Sequence, residues 1–97
     1  MPNNKKILKI AKSVISTELE AISQLESKLS NSFSEAVQII LKSKGRVIVA
    51  GVGKSANIAN KIVATLNSTG QPSVFLHAAD ALHGDLGNIQ ENDVVIC

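Results

Sequence analysis

Two short stretches hold most of the chemistry this sequence offers. The first, Gly51-Val52-Gly53-Lys54-Ser55, joins two glycines, which permit a tight turn and a close backbone approach, to a cation and a hydroxyl. Set directly before a helix, such a turn presents free backbone N–H groups to an anion, and a phosphate ester is the economical ligand. The same residues also suit a plain strand-to-helix turn, with Lys54 solvated and Ser55 acting as helix cap. The second stretch, His77-Ala78-Ala79-Asp80-Ala81-Leu82-His83-Gly84-Asp85-Leu86-Gly87, contains both histidines of the chain. An imidazole titrating near neutrality can take and return a proton, and Asp80 or Asp85 could orient one of the two. A divalent metal is an alternative ligand, although this pair has no recognised metal-ligand spacing. His77 reads equally well as strand-end packing, whereas His83, beside Gly84 in a polar turn, reads as functional.

Two better-known phosphate loops fit less well. The P-loop pattern places its first glycine where Ile48 stands, inside an apolar run. The dinucleotide fingerprint is satisfied by Gly51, Gly53 and Ala56, yet the ribose-binding acid expected at the end of the next strand is replaced by His77, with Asp80 the nearest acid.

The elements that must position these residues follow from periodicity. From about Lys5 to Ser30, Leu8, Ala11, Ile15, Ile22, Leu25 and Leu29 recur at helical spacing, with Glu18 interrupting the stripe and Leu19 partly covering for it. Such a helix is about 40 Å long. It either packs on its own domain or lies across another subunit. Ser32 and Glu35 form a capping-box pattern, so a second helix is expected to start at Ser32, run through Ala36, Val37, Ile40 and Leu41, and stop at Gly45. Arg46 to Ala50 is a short apolar run of the kind covered on both faces in a parallel sheet. Ile58, Ala59, Ile62, Val63 and Leu66 share one helical face, Gly70 and Pro72 close that helix, and Ser73 to His77 forms the second strand. A strand, helix, strand unit makes the two strands parallel. One or two helical turns over Ala78 to Leu86, broken by Gly84 and Gly87, lead through the Glu91-Asn92-Asp93 turn into a third strand, Val94 to Cys97. The expected architecture is therefore α/β: residues 1–31 a helical extension, and residues 32–97 the first part of a parallel-sheet domain. Its ligand belongs outside the carboxyl ends of the strands, where both motif stretches fall.

Composition narrows the function classes. With 97 residues, 44% of them hydrophobic and 19% charged, the chain is expected to fold around one small core. A net charge of +2 and two phenylalanines leave no basic, aromatic-lined groove for nucleic acid. No apolar run reaches the roughly 18 residues of a membrane span, and a cytoplasmic location with no membrane partner is expected. Cys97, the single cysteine, cannot make an internal disulfide. The β-branched run at Val94 to Cys97 reads as a buried strand of a larger domain, so further site residues are expected beyond it.

Gly51-Val52-Gly53-Lys54-Ser55, Ala64-Thr65-Leu66-Asn67-Ser68-Thr69-Gly70 and the His77 to Gly87 stretch, in this order and spacing, closely resemble the arabinose 5-phosphate isomerases of the sugar isomerase (SIS) domain family. The resemblance runs from about Ser30 to Cys97. It implies the amino-terminal part of a three-layer, flavodoxin-like parallel-sheet fold, preceded by long helices. It also implies interconversion of ribulose 5-phosphate and arabinose 5-phosphate through an enediol, supplying the precursor of 3-deoxy-octulosonate for lipopolysaccharide or capsule. By this resemblance Lys54 and His83 are catalytic, and Gly51, Gly53, Ser55, Gly70, Gln71, His77 and His83 contribute to substrate binding. His77 is associated with zinc of an inhibitory kind, and no cofactor is required. The partners implied are a sugar phosphate and further copies of the chain in a tetramer. Gly70-Gln71 stands at the amino end of the second strand, so it reaches a site only across a subunit interface. Two positions depart from the family: Ala56-Asn57 stands in place of Gly-His, and Asp80 in place of glutamate. The family's Ser/Thr-rich phosphate loop and remaining catalytic groups correspond to positions after Cys97. A non-catalytic sugar-phosphate or nucleotide-sugar binding module, regulatory in role, is the alternative on the same fold.

Overall fold

Asn3 starts the first helix: its side-chain oxygen accepts the Lys6 N–H at 2.9 Å, capping α1, Asn4–Lys28. The structure is a computed structural model that describes residues 1, 3–81 and 85–97. The chain divides into two compact units, Met1–Glu35 and Ala36–Cys97. In the first unit α1 buries none of its residues, and Leu8, Ile15, Ile22, Leu25 and Leu29 are all exposed. The second helix, α2, spans Asn31–Lys42 and so begins one residue before the expected Ser32. Leu29 is extended directly after α1, which leaves Ser30 at the cap; its carbonyl accepts the Phe33 N–H at 3.0 Å and its hydroxyl bonds that of Ser32 at 2.9 Å.

The second unit is built on three parallel strands, β1 (Val47–Gly51), β2 (Ser73–His77) and β3 (Val94–Ile96), in the order β2-β1-β3. Val47 pairs with Ser73 and Val94, and Val49 with Phe75 and Ile96. Side chains alternate along a strand, so β1 faces two ways. Val47 and Val49 pack with Ala59 of α3 (Lys54–Ser68), surrounded by Ile40, Val63, Leu66 and Phe75. Ile48 and Leu76 are buried on the other face. That face meets the return segment, a single-turn helix α4 (Ala78–Ala81) and a 3-10 turn at Asp85–Asn88. The central strand is the apolar run predicted from sequence shifted by one residue, Val47–Gly51 in place of Arg46 to Ala50, with Val47, Ile48 and Val49 buried.

Two devices fix the amino edge of the sheet. At the end of α3 the Gln71 N–H bonds Leu66 O at 2.9 Å and the Gly70 N–H bonds Asn67 O at 3.3 Å, a Schellman closure in which Gly70 takes φ +97°. The fold-back lets Asn67 grip β2: its Nδ2 donates to Ser73 O at 3.1 Å and its Oδ1 accepts Ser73 N at 2.8 Å. Across β1, Arg46 clamps Asp93 with Nη2 to Oδ2 at 2.8 Å and Nε to Oδ1 at 3.3 Å. The Asp93 carboxylate also accepts the Arg46 and Gln90 backbone N–H groups, and Arg46 Nη2 reaches Asn88 O at 2.8 Å. The Asp93 side chain is only 1% exposed, so this charge is held by a full set of donors. These bonds hold its carboxyl well below the ordinary carboxylate range, the Arg46 hydrogen bond being the largest cause.

Candidate functional site

The carboxyl edge of β1 and β2 assembles the first motif around two glycines with different tasks. A Cβ on Gly51 would lie 2.8 Å from Ser55 O and 2.9 Å from Ala56 N, so only glycine lets the first turn of α3 press against the strand end. Gly53 takes φ +60°, which favours glycine, and caps α3 without any side-chain hydrogen bond. A Cβ there would meet nothing within 4 Å, so the space above the turn is open. The Lys54 and Ser55 N–H groups have no acceptor among the described residues, and Lys54 is exposed without an ion pair among them. Free N–H groups at the head of a 15-residue helix, with an adjacent ammonium, suit an anion.

Ser55 is used locally. Its hydroxyl donates to Val52 O at 2.6 Å and accepts Val52 N at 3.0 Å, so its proton shapes the turn and is not offered outward. Sequence alone leaves that hydroxyl open to a ligand or a cap; the structure shows that it closes the loop before the helix begins.

His77 ends β2 as the register partner of Gly51. Neighbouring strands lie about 4.8 Å apart, so the two motif stretches stand side by side at this edge, as their order after β1 and β2 predicts. The His77 ring is half-buried and meets Phe75 edge-on, with centroids 6.2 Å apart and planes at 88°. Its Nδ1 accepts the Ala79 N–H at 3.2 Å. A cavity of about 160 Å³ touches His77 and the exposed Asp80 at this end and runs along Ile48 and Leu76 to Arg46 and Ile89. The role of Phe75 was not read from the sequence, although two residues on one face of a strand are natural neighbours.

Not every expected residue joins this edge. Gly70 and Gln71 lie at the opposite, amino end of β2, engaged in closing α3, and one chain does not bring them beside Lys54. His83 lies outside the described residues. Among the described residues no three of His, Cys, Asp and Glu cluster together, and Nδ1 of His77 is bonded to the Ala79 N–H.

Comparison with known proteins agrees with this geometry. Residues 39–97 match the SIS domain. The chain is 47% identical over 94 residues to the uncharacterised protein RP505 of Rickettsia prowazekii (strain Madrid E), covering 97% of this chain and 29% of that protein. It is 46% identical over 90 residues to arabinose 5-phosphate isomerase GutQ of Escherichia coli (strain K12), covering 93% of this chain and 28% of GutQ. Among solved structures, E. coli CFT073 c3406 in complex with arabinose 5-phosphate superposes with a TM-score of 0.89 at 37% identity, over 97% of this chain and 50% of that one. The chain thus spans under a third of the length of these curated relatives. With the glycine turn, the parallel order β2-β1-β3 and the match over residues 39–97 in agreement, the chain belongs to the SIS domain family.

Proposed function

We propose that this chain carries part of the site of a sugar-phosphate isomerase, interconverting D-ribulose 5-phosphate and D-arabinose 5-phosphate through an enediol as a step toward 3-deoxy-octulosonate. The observation that supports this most is the pairing of Gly51 with His77, which sets the Lys54 turn and the histidine stretch against one another at the carboxyl edge. Moving a proton between two carbons needs an acid-base group, for which His83 is proposed, and a positive charge where the enediol oxygen develops. Lys54 supplies that charge, or holds the phosphate against the free N–H groups of α3. Gly70 and Gln71 enter from another copy in a homo-oligomer, a tetramer in this reading; the exposed apolar stripe of α1 is consistent with such association.

The test places the stretch of this chain that matches GutQ of E. coli, 90 residues, into GutQ in place of its counterpart, and follows turnover of ribulose 5-phosphate. Turnover is expected in the chimera, and Lys54→Ala is expected to lower kcat at least about tenfold. Full turnover with alanine rejects the role of the lysine. A second reading is a non-catalytic module for a sugar phosphate or nucleotide sugar. Binding of arabinose 5-phosphate by a chimera that lacks turnover selects it.

A further inference from the structure

Among the described residues, one hydrogen bond ties the 3-10 turn Asp85–Asn88 to the sheet: the Asn88 carbonyl accepts Arg46 Nη2 at 2.8 Å. The same nitrogen donates to Asp93 Oδ2 at 2.8 Å, while Arg46 Nε donates to Asp93 Oδ1 at 3.3 Å. The carboxylate thus fixes the plane of the guanidinium, and the donor that meets Asn88 has a set position. Between turn and sheet lies the cavity of about 160 Å³, lined by Ile48 and Leu76 of the strands and by Asp80, Asn88 and Ile89 of the return segment. A segment laid on a filled core takes its height from the side chains under it, whereas one that spans a cavity takes it from its anchors. The 3-10 turn packs against α4, α4 packs against β2, and the Ala79 N–H of α4 is bonded to the His77 ring. Contact is therefore continuous from Arg46, at the amino edge of β1, to α4 at the carboxyl edge of β2.

We propose that Arg46 is a positioning residue for the carboxyl-edge site: by holding Asn88 it sets where the 3-10 turn and α4 stand over the sheet, and with them Asp80. Arg46 touches no ligand in this role, since its Nε and Nη2 are occupied by Asp93 and Asn88. The role needs the planar fork of arginine. A lysine ammonium would keep the charge beside Asp93 but is a point donor, without the rigid geometry that serves a carboxylate and a carbonyl together. That the edge takes a sugar phosphate rests on the function proposed above; the placing of α4 by Arg46 does not.

Two measurements test this, each against Ile40→Ala, which removes packing from the face of the sheet turned to α3 and leaves the clamp intact. In 15N–1H spectra of the full chain, Arg46→Lys is expected to move the amide resonances of Ala79 and Asp80, and Ile40→Ala to leave them in place. Unmoved resonances in Arg46→Lys, or equal movement in both variants, overturn the proposal. Asp93→Asn keeps the shape of the partner and removes its charge, and it is read by the same criterion where Arg46→Lys does not fold. In the GutQ chimera described above, at matched folded fraction by circular dichroism, Arg46→Lys is expected to lower kcat/KM for ribulose 5-phosphate about tenfold, with Ile40→Ala within about twofold of the unsubstituted chimera. Equal losses make the clamp structural only and overturn the positioning role. If the chimera shows no turnover, the function proposed above fails while the amide shifts still decide whether Arg46 places α4.

Discussion

Gly53 and Gly51 look alike in the sequence and fail differently when substituted. Gly53 has open space above it, so Gly53→Ala is penalised only by its backbone angles, at about 1–3 kcal/mol in urea titrations. Gly87→Ala, where a Cβ also meets nothing within 4 Å, is the matched control and should change stability by less than about 0.5 kcal/mol. At Asn67 the structure reveals what composition conceals. On the helix it belongs to the polar face and reads as solvated, yet it makes two hydrogen bonds to the Ser73 backbone. Asn67→Ala should therefore cost about 2 kcal/mol by the same measurement, and an effect near zero would show that the grip is not maintained in solution. The glycine turn was legible because its constraint is local. The Asn67 bridge was not, since it exists only after the Schellman turn folds β2 back beside α3.

The return segment is held to the sheet by the Arg46–Asp93 clamp, across 47 positions of sequence. Asp93 titrates lower in the folded chain than its ordinary value of 3.8, so its contribution to stability is complete above that value and is lost as pH falls below it. Asp93→Asn should lower the urea midpoint at about pH 7, and the gap to the unsubstituted chain should be smaller at about pH 3 and continue to close as the pH falls further. A constant gap would mean that shape and not charge sets the effect. For α1 the periodic stripe was legible and its partner was not, because a stripe records only that something covers it. If that cover is another copy, Ile15→Lys with Ile22→Lys should shift the chain toward monomer in sedimentation velocity while leaving its helical circular dichroism largely intact. Unchanged association would remove α1 from the interface. The start of α2 at Asn31 shows the limit of cap motifs: the extended Leu29 put Ser30 at the cap before the Ser32 pattern could compete.

Across the whole sheet unit, parallel pairing was legible from the crossover through α3, but the order β2-β1-β3 was not, since apolar runs carry no record of which neighbour they choose. That order makes β1 central and places the Lys54 turn next to His77, with the closure of α3 at the far edge. The face of the sheet away from α3 stays partly open, with Val74 40% and Val95 44% exposed, in a chain that spans 28% of the length of GutQ. The separation of the edges gives a test by amide shifts. In a monomeric sample, arabinose 5-phosphate should move the resonances of Gly51 to Ser55 and His77 together and leave those of Gly70 and Gln71 in place. Movement at Gly70 and Gln71 without self-association would contradict the placement of that turn outside the single-chain site.

The register of Gly51 with His77 also bears on how such a protein can change over generations. The distance between the two halves of the edge is set by the spacing of peptide hydrogen bonds, about 4.8 Å, and by no side chain along the way. The outward surface of α3 can therefore drift, and its length can change by whole turns, without altering that spacing. Insertion of a single residue in either strand would instead slide one half past the other. Selection for the site thus falls on the count of residues within two short strands, and leaves most of the sequence that joins them free to vary.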